Sequence, residues 1–223
     1  MTFAEWYGNW KVVLVYVLLF GGFTLGLARP RRPREWRGMG VFQAFLVALF
    51  TEMFGVPLTI YLLAPALGLP PAAFGFYESH LWGYLLARAG LMPVGAAAHL
   101  MMFLSTLIIL PGILLTIAGW RRIYRAGEGL VTTGVYALMR HPQYLGIVLV
   151  ATGFLVMWPT LPTLVMYPIL LVMYGRLAGE EEFRLAQEYG EAYEDYRQRV
   201  PAVFPVFHPS SGFRERRRQE KTA

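Results

Sequence analysis

The chain contains no cysteine, which excludes disulfides, thiolate zinc sites and cysteine nucleophiles. Charge is scarce as well. Only 15% of the 223 residues are charged while 56% are hydrophobic, a balance that points away from a soluble domain and towards a membrane protein. The N-terminus has no cationic region and no small-residue cleavage site, Lys11 being the one base before the first apolar run. That run is therefore expected to remain as a permanent span. No internal repeat is visible, and no stretch is polar enough for a second, soluble domain. The net charge of +6 would admit a nucleic-acid partner, but the arginines lie beside apolar runs, where orientation in a bilayer is the commoner reason for them. Nucleic-acid binding is not expected.

What is present is a series of apolar runs of about 20 residues, the length needed to cross a hydrocarbon core. They predict spans over 10–28, 39–64, 91–120 and 142–158, with a fifth ending at 178 after a tight turn at 159–162. Pro111-Gly112 is expected to kink the third, because proline cannot donate the backbone hydrogen bond of that turn, and Gly55-Val-Pro57 to kink the second. Five arginines fall in 29–37, four in 121–140 and nine bases from 176 onward, leaving only Lys11 and Arg88 on the other side. By the positive-inside rule the N-terminus lies outside and the C-terminus in the cytoplasm, with a prokaryotic inner membrane as the expected location. Beyond the last span, Phe183, Ala186, Tyr189, Tyr193, Tyr196 and Val200 recur every three or four residues among charged neighbours. This predicts an amphipathic cytoplasmic helix interrupted at Gly190, lying on the membrane or packing back onto the loop. The expected fold class is all-α: a polytopic membrane protein of about five transmembrane helices plus that C-terminal helix.

Two polar clusters stand out from this apolar background. At the first, Arg140-His-Pro-Gln-Tyr144 opens the fourth span, with Pro142 placed where a helix tolerates its missing N–H. The helix dipole and Arg140 suit an anion there, and His141 and Tyr144 add hydrogen-bonding or stacking surfaces. Interface anchoring is the alternative role for Arg140 and His141. The second cluster, Glu180-Glu-Glu182, follows Arg176 at the end of the fifth span. A tight turn between the last two spans makes them antiparallel, which brings the clusters together. A capping role in the first turn of a following helix is the competing account of some of these glutamates. Glu52, the one acid deep in a span, is either a functional group pairing with His99 or a neutral structural carboxyl. His80 and His208 lie in loops and suggest no role.

Residues 127–205 resemble the membrane-embedded methyltransferases related to isoprenylcysteine carboxyl methyltransferase and the phospholipid methyltransferases. The pattern comprises Leu130-Val-Thr-Thr-Gly-Val-Tyr136, Arg140-His-Pro-Gln-Tyr144 with Gly146, Glu181-Glu182 with Leu185, Tyr189-Gly-Glu-Ala-Tyr193, Tyr196 and Val200-Pro201. It covers a little over a third of the chain. Glu128, where the family often has histidine or glutamine, and Ala202, where a base often follows Val-Pro, depart from it.

The resemblance implies an S-adenosylmethionine-dependent methyltransferase acting on a lipophilic acceptor that arrives from the membrane lipid, with no metal. It implies cofactor contacts at Leu130, Val131, Tyr136, Arg140, His141, Pro142, Tyr144, Glu181 and Glu182. Glu181 and Arg176 are then the catalytic candidates, Arg176 matching the family's acceptor-facing arginine although Leu177 is the aligned position. On this view 1–120 holds three N-terminal spans with the basic loop 29–38, 121–208 is the catalytic cofactor-binding core, and 209–223 is a basic, disordered tail. The alternatives are a non-enzymatic membrane binder of haem or quinone using His99 or His141, and a transporter.

Overall fold

The computed structural model describes residues 2–28, 33–126 and 129–203. The tail 209–223, Glu128 and His208 lie outside these residues. Among the described residues every regular element is helical: α1 Phe3–Trp6, α2 Trp10–Ala28, α3 Pro33–Phe50, α4 Leu58–Ala66, α5 Leu81–Arg88, α6 Val94–Ala126, α7 Pro142–Met157, α8 Leu161–Tyr189 and α9 Glu191–Arg199. Three stretches, Gly38–Gly55, Val94–Ala126 and Leu161–Tyr189, are long and apolar enough to cross a membrane. Two more, Trp10–Gly22 and Pro142–Met157, are apolar but shorter. The protein is an integral membrane protein.

Several boundaries differ from expectation. The second run does not continue to Ala64: α3 passes into a π-helical turn, Thr51–Gly55, and the chain breaks at extended Val56 before Pro57. Proline removes a donor and biases the residue before it towards extended backbone, so a fresh helix, α4, starts beyond it. The basic loop is shorter than its sequence suggested, since Pro33 already begins α3. The third span runs past Trp120 to Ala126, and α6 passes through Pro111 without interruption. The turn before α8 forms as expected, with the Thr160 side chain accepting from the backbone N–H of Thr163 and Pro162 in the first turn.

The largest change concerns Glu180, Glu181 and Glu182. They do not sit in the first turn of a new helix; α8 carries straight through them from the apolar stretch to Tyr189. A capping role is thereby excluded. The helix stops at Gly190, whose φ of 52° and ψ of −126° are open to glycine at little cost, and α9 follows directly. Phe183 is 68% exposed and so lies off the buried face that was expected to include it.

Packing of α6 against α7 sets the position of everything that follows. The helices run antiparallel and meet along glycines spaced seven apart, Gly112 and Gly119 on α6, Gly146 and Gly153 on α7. A Cβ on Gly112 would come 2.8 Å from the Gly146 carbonyl oxygen, and one on Gly146 would collide with Thr116 and Gly112. Small residues allow this approach, which compensates for the weak hydrophobic drive between helices in lipid. The α7–α8 pair is tied by a 2.6 Å hydrogen bond between the hydroxyls of Thr152 and Tyr167 and by Tyr144 against Tyr174 at 5.3 Å. At its far end α8 lies over α3, where Leu177 fills the space above Gly38.

The opposite end of the bundle is closed by the N-terminal segment and the 56–93 connection. Trp6 Nε1 donates to the Met53 carbonyl at 2.8 Å, Tyr7 donates to Ser79 at 2.6 Å, and Trp82 Nε1 reaches Leu155 at 2.9 Å. His80 lies in the loop before α5, as expected, but is buried there against Trp158. Buried Glu52 accepts from Thr59 N–H at 3.0 Å, and Thr59 in turn accepts from Leu161 N–H at 2.9 Å. Glu52 thus belongs to a junction between α3, α4 and α8, and His99 bonds instead to the Gly95 carbonyl.

Gly146→Ala is expected to separate α6 from α7 and lower stability by about 1–3 kcal/mol, the range for overpacking a tight contact. Gly175→Ala, where nothing lies within 4 Å, is expected to be neutral or slightly stabilising. Thermal unfolding of the two variants in the same detergent checks this; equal midpoints would show that the glycine seam is not a tight constraint.

Candidate functional site

Antiparallel pairing returns the end of α8 to the start of α7, and the two polar clusters meet there. Arg140 Nε and Nη2 donate to Glu182 Oε1 at 2.9 and 2.6 Å, and His141 Nε2 lies 3.1 Å from the same oxygen. The other ring nitrogen, Nδ1, is 3.4 Å from Glu181 Oε2. One imidazole, buried to 1% exposure, is therefore held between adjacent glutamates while stacking on Tyr144 at 5.5 Å. Glu181 and Glu182 are half-buried and Glu180 is exposed.

A third segment closes over this pair. Arg140 Nη1 donates to the carbonyls of Arg197 and Val200 at 2.9 and 2.5 Å, gripping the C-terminal end of α9. Main-chain bonds add to the grip: Arg140 N–H reaches the Pro201 carbonyl and His141 N–H that of Ala202, both at 2.9 Å. Tyr196 donates to the Tyr136 carbonyl at 2.7 Å, and Tyr136 donates to Gln143 Oε1 at 2.7 Å. So α9 packs back on the loop before α7, one of the two placements its sequence allowed. Tyr193, Tyr196 and Val200 form a buried cluster with Leu130, Leu185, Ala186 and Tyr189 around it.

These geometries sort the residues named from sequence. Arg140, His141, Glu181 and Glu182 come together with Tyr144 beside them, Tyr136 is linked through Gln143 and Tyr196, and Leu130 packs on the α9 cluster. Val131 is half-buried nearby, and Pro142 is buried in the first turn of α7. Arg176 is not brought in. At 3.6 residues per turn it stands roughly 140° around α8 from Glu181, and it is exposed. Leu177 shares the Glu181 face and packs above Gly38. The anion role expected of Arg140 is also displaced, because four hydrogen bonds within the protein occupy it. Nor is the start of α7 open: Pro142 has no N–H, and Gln143 N lies 3.3 Å from where a Cβ on Gly119 would be.

Three buried polar atoms of this region have no hydrogen-bond partner among the described residues: His141 Nδ1, Glu181 Oε2 and the Tyr193 hydroxyl. Burial, with the Glu182 carboxylate nearby, pushes the Tyr193 phenol up to about 12, so it stays protonated and able to donate. Burial likewise raises Tyr196 and Tyr136. Sequence reasoning held Gln143 only as part of the 141–144 segment and did not single out Tyr193 as a site residue. The available signal for Tyr193 was its place in Tyr189-Gly-Glu-Ala-Tyr193, one turn from the residues Arg140 binds.

Comparison with known proteins supports the same region. The model of the isoprenylcysteine carboxyl methyltransferase (ICMT) family matches residues 98–187, which include α7, most of α6 and α8, and both polar clusters. A probable protein-S-isoprenylcysteine O-methyltransferase of Oryza sativa subsp. indica is 39% identical over 83 residues, 37% of this chain and 44% of its own length. The Schizosaccharomyces pombe protein-S-isoprenylcysteine O-methyltransferase is 35% identical over 34% of this chain and 33% of its own, and the Mus musculus one 40% over 34% and 27%. The chain thus spans less than half the length of these curated relatives. No solved structure matches it.

Arg140→Met removes all the side-chain bonds of that residue and is expected to free α9. Faster trypsin cleavage after Arg197 and Arg199 and a loss of about 2–3 kcal/mol, the scale of charged hydrogen bonds, are the expected results. Unaltered cleavage would mean that Arg140 does not hold α9 in place.

Proposed function

Because residues 98–187 carry the isoprenylcysteine carboxyl methyltransferase family pattern, we propose that this protein is an S-adenosylmethionine-dependent membrane methyltransferase whose acceptor is a carboxylate on an isoprenyl-type lipid tail. The observation that carries the reading is the meeting of Arg140, His141, Glu181 and Glu182 where α7 begins and α8 leaves its apolar stretch. The named activity of the relatives, O-methylation of protein S-isoprenylcysteine, supplies the acceptor class. A prenylated protein and a free lipid carboxylate share that chemistry.

The residues present fit such a cofactor. Its ammonium and hydroxyl groups need acceptors, and Glu181 Oε2 is a buried carboxylate oxygen with no hydrogen bond, 3.4 Å from His141 Nδ1, which accepts as well in the tautomer that carries its proton on Nε2. Arg140 fixes Glu182, and Glu182 fixes the His141 ring through Nε2, so the pair positions the imidazole and its neighbouring glutamate. Leu130, Val131, Tyr136 and Tyr144 supply the apolar and aromatic walls. The cofactor would bring a methyl group already activated on a sulfonium, so the protein needs no nucleophilic side chain; it holds the acceptor in line and excludes water. We read α2 and α7 as spans too, five in all, and the distribution of bases supports a site at the cytoplasmic face. Arg176, exposed and about 140° around α8 from Glu181, stands outside this cluster and is given no part in it.

The haem or quinone reading loses its ligands. His141 is engaged by both glutamates, and His99 lies at the other end of α6, roughly 30 Å from Gly119 along a helix rising about 1.5 Å per residue.

Purified protein, a methyl-labelled cofactor and a panel comprising a farnesylated N-acetylcysteine, a phospholipid amine and an unprenylated carboxylate test the reading by product mass. Methylation is expected on the prenylcysteine alone. Glu181→Ala is expected to cut turnover about a hundredfold, as for loss of a charged hydrogen bond of about 2–3 kcal/mol, and Arg88→Ala to leave it unchanged. Absence of cofactor binding in several detergents would sink the proposal.

A further inference from the structure

Tyr193 is fully enclosed, yet its hydroxyl meets no partner among the described residues. Leaving a buried phenol unpaired costs free energy, and such a group calls for a reason. Its position is well determined. Arg140 grips the carbonyl of Arg197, one turn beyond it, and that of Val200; Tyr196 is bonded to Tyr136; and the Tyr193 ring packs in the cluster with Leu130, Leu185 and Ala186. Leu185 and Ala186 are themselves one turn past Glu181 and Glu182 on α8. The phenol therefore belongs to the same neighbourhood as the other two unpartnered atoms, Glu181 Oε2 and His141 Nδ1.

The three atoms differ in what they seek. Glu181 Oε2 is an acceptor, and His141 Nδ1 is one too in the tautomer whose Nε2–H donates to Glu182. Side by side at 3.4 Å they suit an ammonium and repel a carboxylate. Tyr193 offers the donor. Of the nearby donors, Arg140 makes four bonds within the protein, the first turn of α7 packs on Gly119, and Arg184 lies 4.0 Å from the other Glu181 oxygen, Oε1, on the more exposed side of the carboxylate. One donor beside two acceptors complements the zwitterionic end of an α-amino acid.

We infer that Tyr193 is a cofactor-binding residue whose hydroxyl donates to the carboxylate of the cofactor's amino-acid end, with Glu181 taking the adjacent ammonium. The assignment rests on the methyltransferase reading above and adds to it the residue that recognises the methionine moiety, as distinct from the nucleoside.

Calorimetric titration with S-adenosylhomocysteine and with methylthioadenosine, which shares the nucleoside and sulfur but lacks the amino-acid end, separates the possibilities. Tyr193→Phe is expected to weaken S-adenosylhomocysteine about tenfold, equivalent to about 1.4 kcal/mol, and to leave methylthioadenosine unchanged. Equal weakening of both ligands, or no change in either, would overturn the assignment by showing a structural role or none. As a check that needs no substitution to phenylalanine, fluorotyrosine placed at 193 should shift its fluorine resonance on adding S-adenosylhomocysteine and not on adding methylthioadenosine. An unmoved resonance with bound S-adenosylhomocysteine overturns the assignment while leaving the methyltransferase reading intact. If the unaltered protein binds neither ligand, the methyltransferase reading itself fails, and the Tyr193 assignment with it.

Discussion

Arg140 joins the polar ends of three segments that otherwise meet through the apolar cluster of Tyr193, Tyr196 and Val200. Its guanidinium bonds to Glu182 on α8 and to the carbonyls of Arg197 and Val200 at the end of α9, while its own backbone pairs with Pro201. A planar fork with five N–H donors can make all four of these bonds at once, one more than the three donors of a lysine allow. The group remains largely buried, where each of these bonds is worth more than at a wet surface. Remove it, and the charge on Glu182, the orientation of His141 and the lid formed by α9 lose their common anchor.

This anchor works only because the helices beneath it are placed closely. The glycines of α6 and α7 bring the two backbones into contact, so Pro142 and Gln143 enter the interface with Gly119 and fix where the mouth of α7 points. The short turn capped by Thr160 then sends α8 back along α7. Because α8 does not end at the apolar boundary, it carries Glu181 and Glu182 beyond the spans as a rigid extension of a transmembrane helix. Their register with His141 follows from helix geometry, with no loop between to relax it. At the far end, aromatic packing around Trp6, Phe76 and Trp158 and the Glu52–Thr59–Leu161 junction close the bundle away from the site.

Much of this was legible in the chain's pattern. Apolar runs marked the long helices, Pro142 marked the start of α7, Gly190 marked the end of α8, and the short turn at 159–162 implied that the two polar clusters meet. Other features were not. Pro57 was visible, but that it ends a span instead of bending it depends on how the following residues pack. Nothing in Arg176 distinguishes it from Leu177 until the phase of α8 is known. Glutamates after an apolar run read equally well as the start of a new helix or the continuation of an old one, since both put acid at a membrane boundary.

The sequence by itself determined the all-helical membrane class, the order of the elements and the residue types at the site, because hydropathy, proline, glycine and charge act locally and with fixed period. Only the tertiary structure decided what each polar group does. Hydrogen-bond partners come from segments 40 to 60 residues apart, and an arginine bonded four times within the protein is no longer free for a ligand. The same geometry left one atom each of Glu181, His141 and Tyr193 without a hydrogen bond among the described residues, which no reading of spacing along the chain could have distinguished from three satisfied core residues.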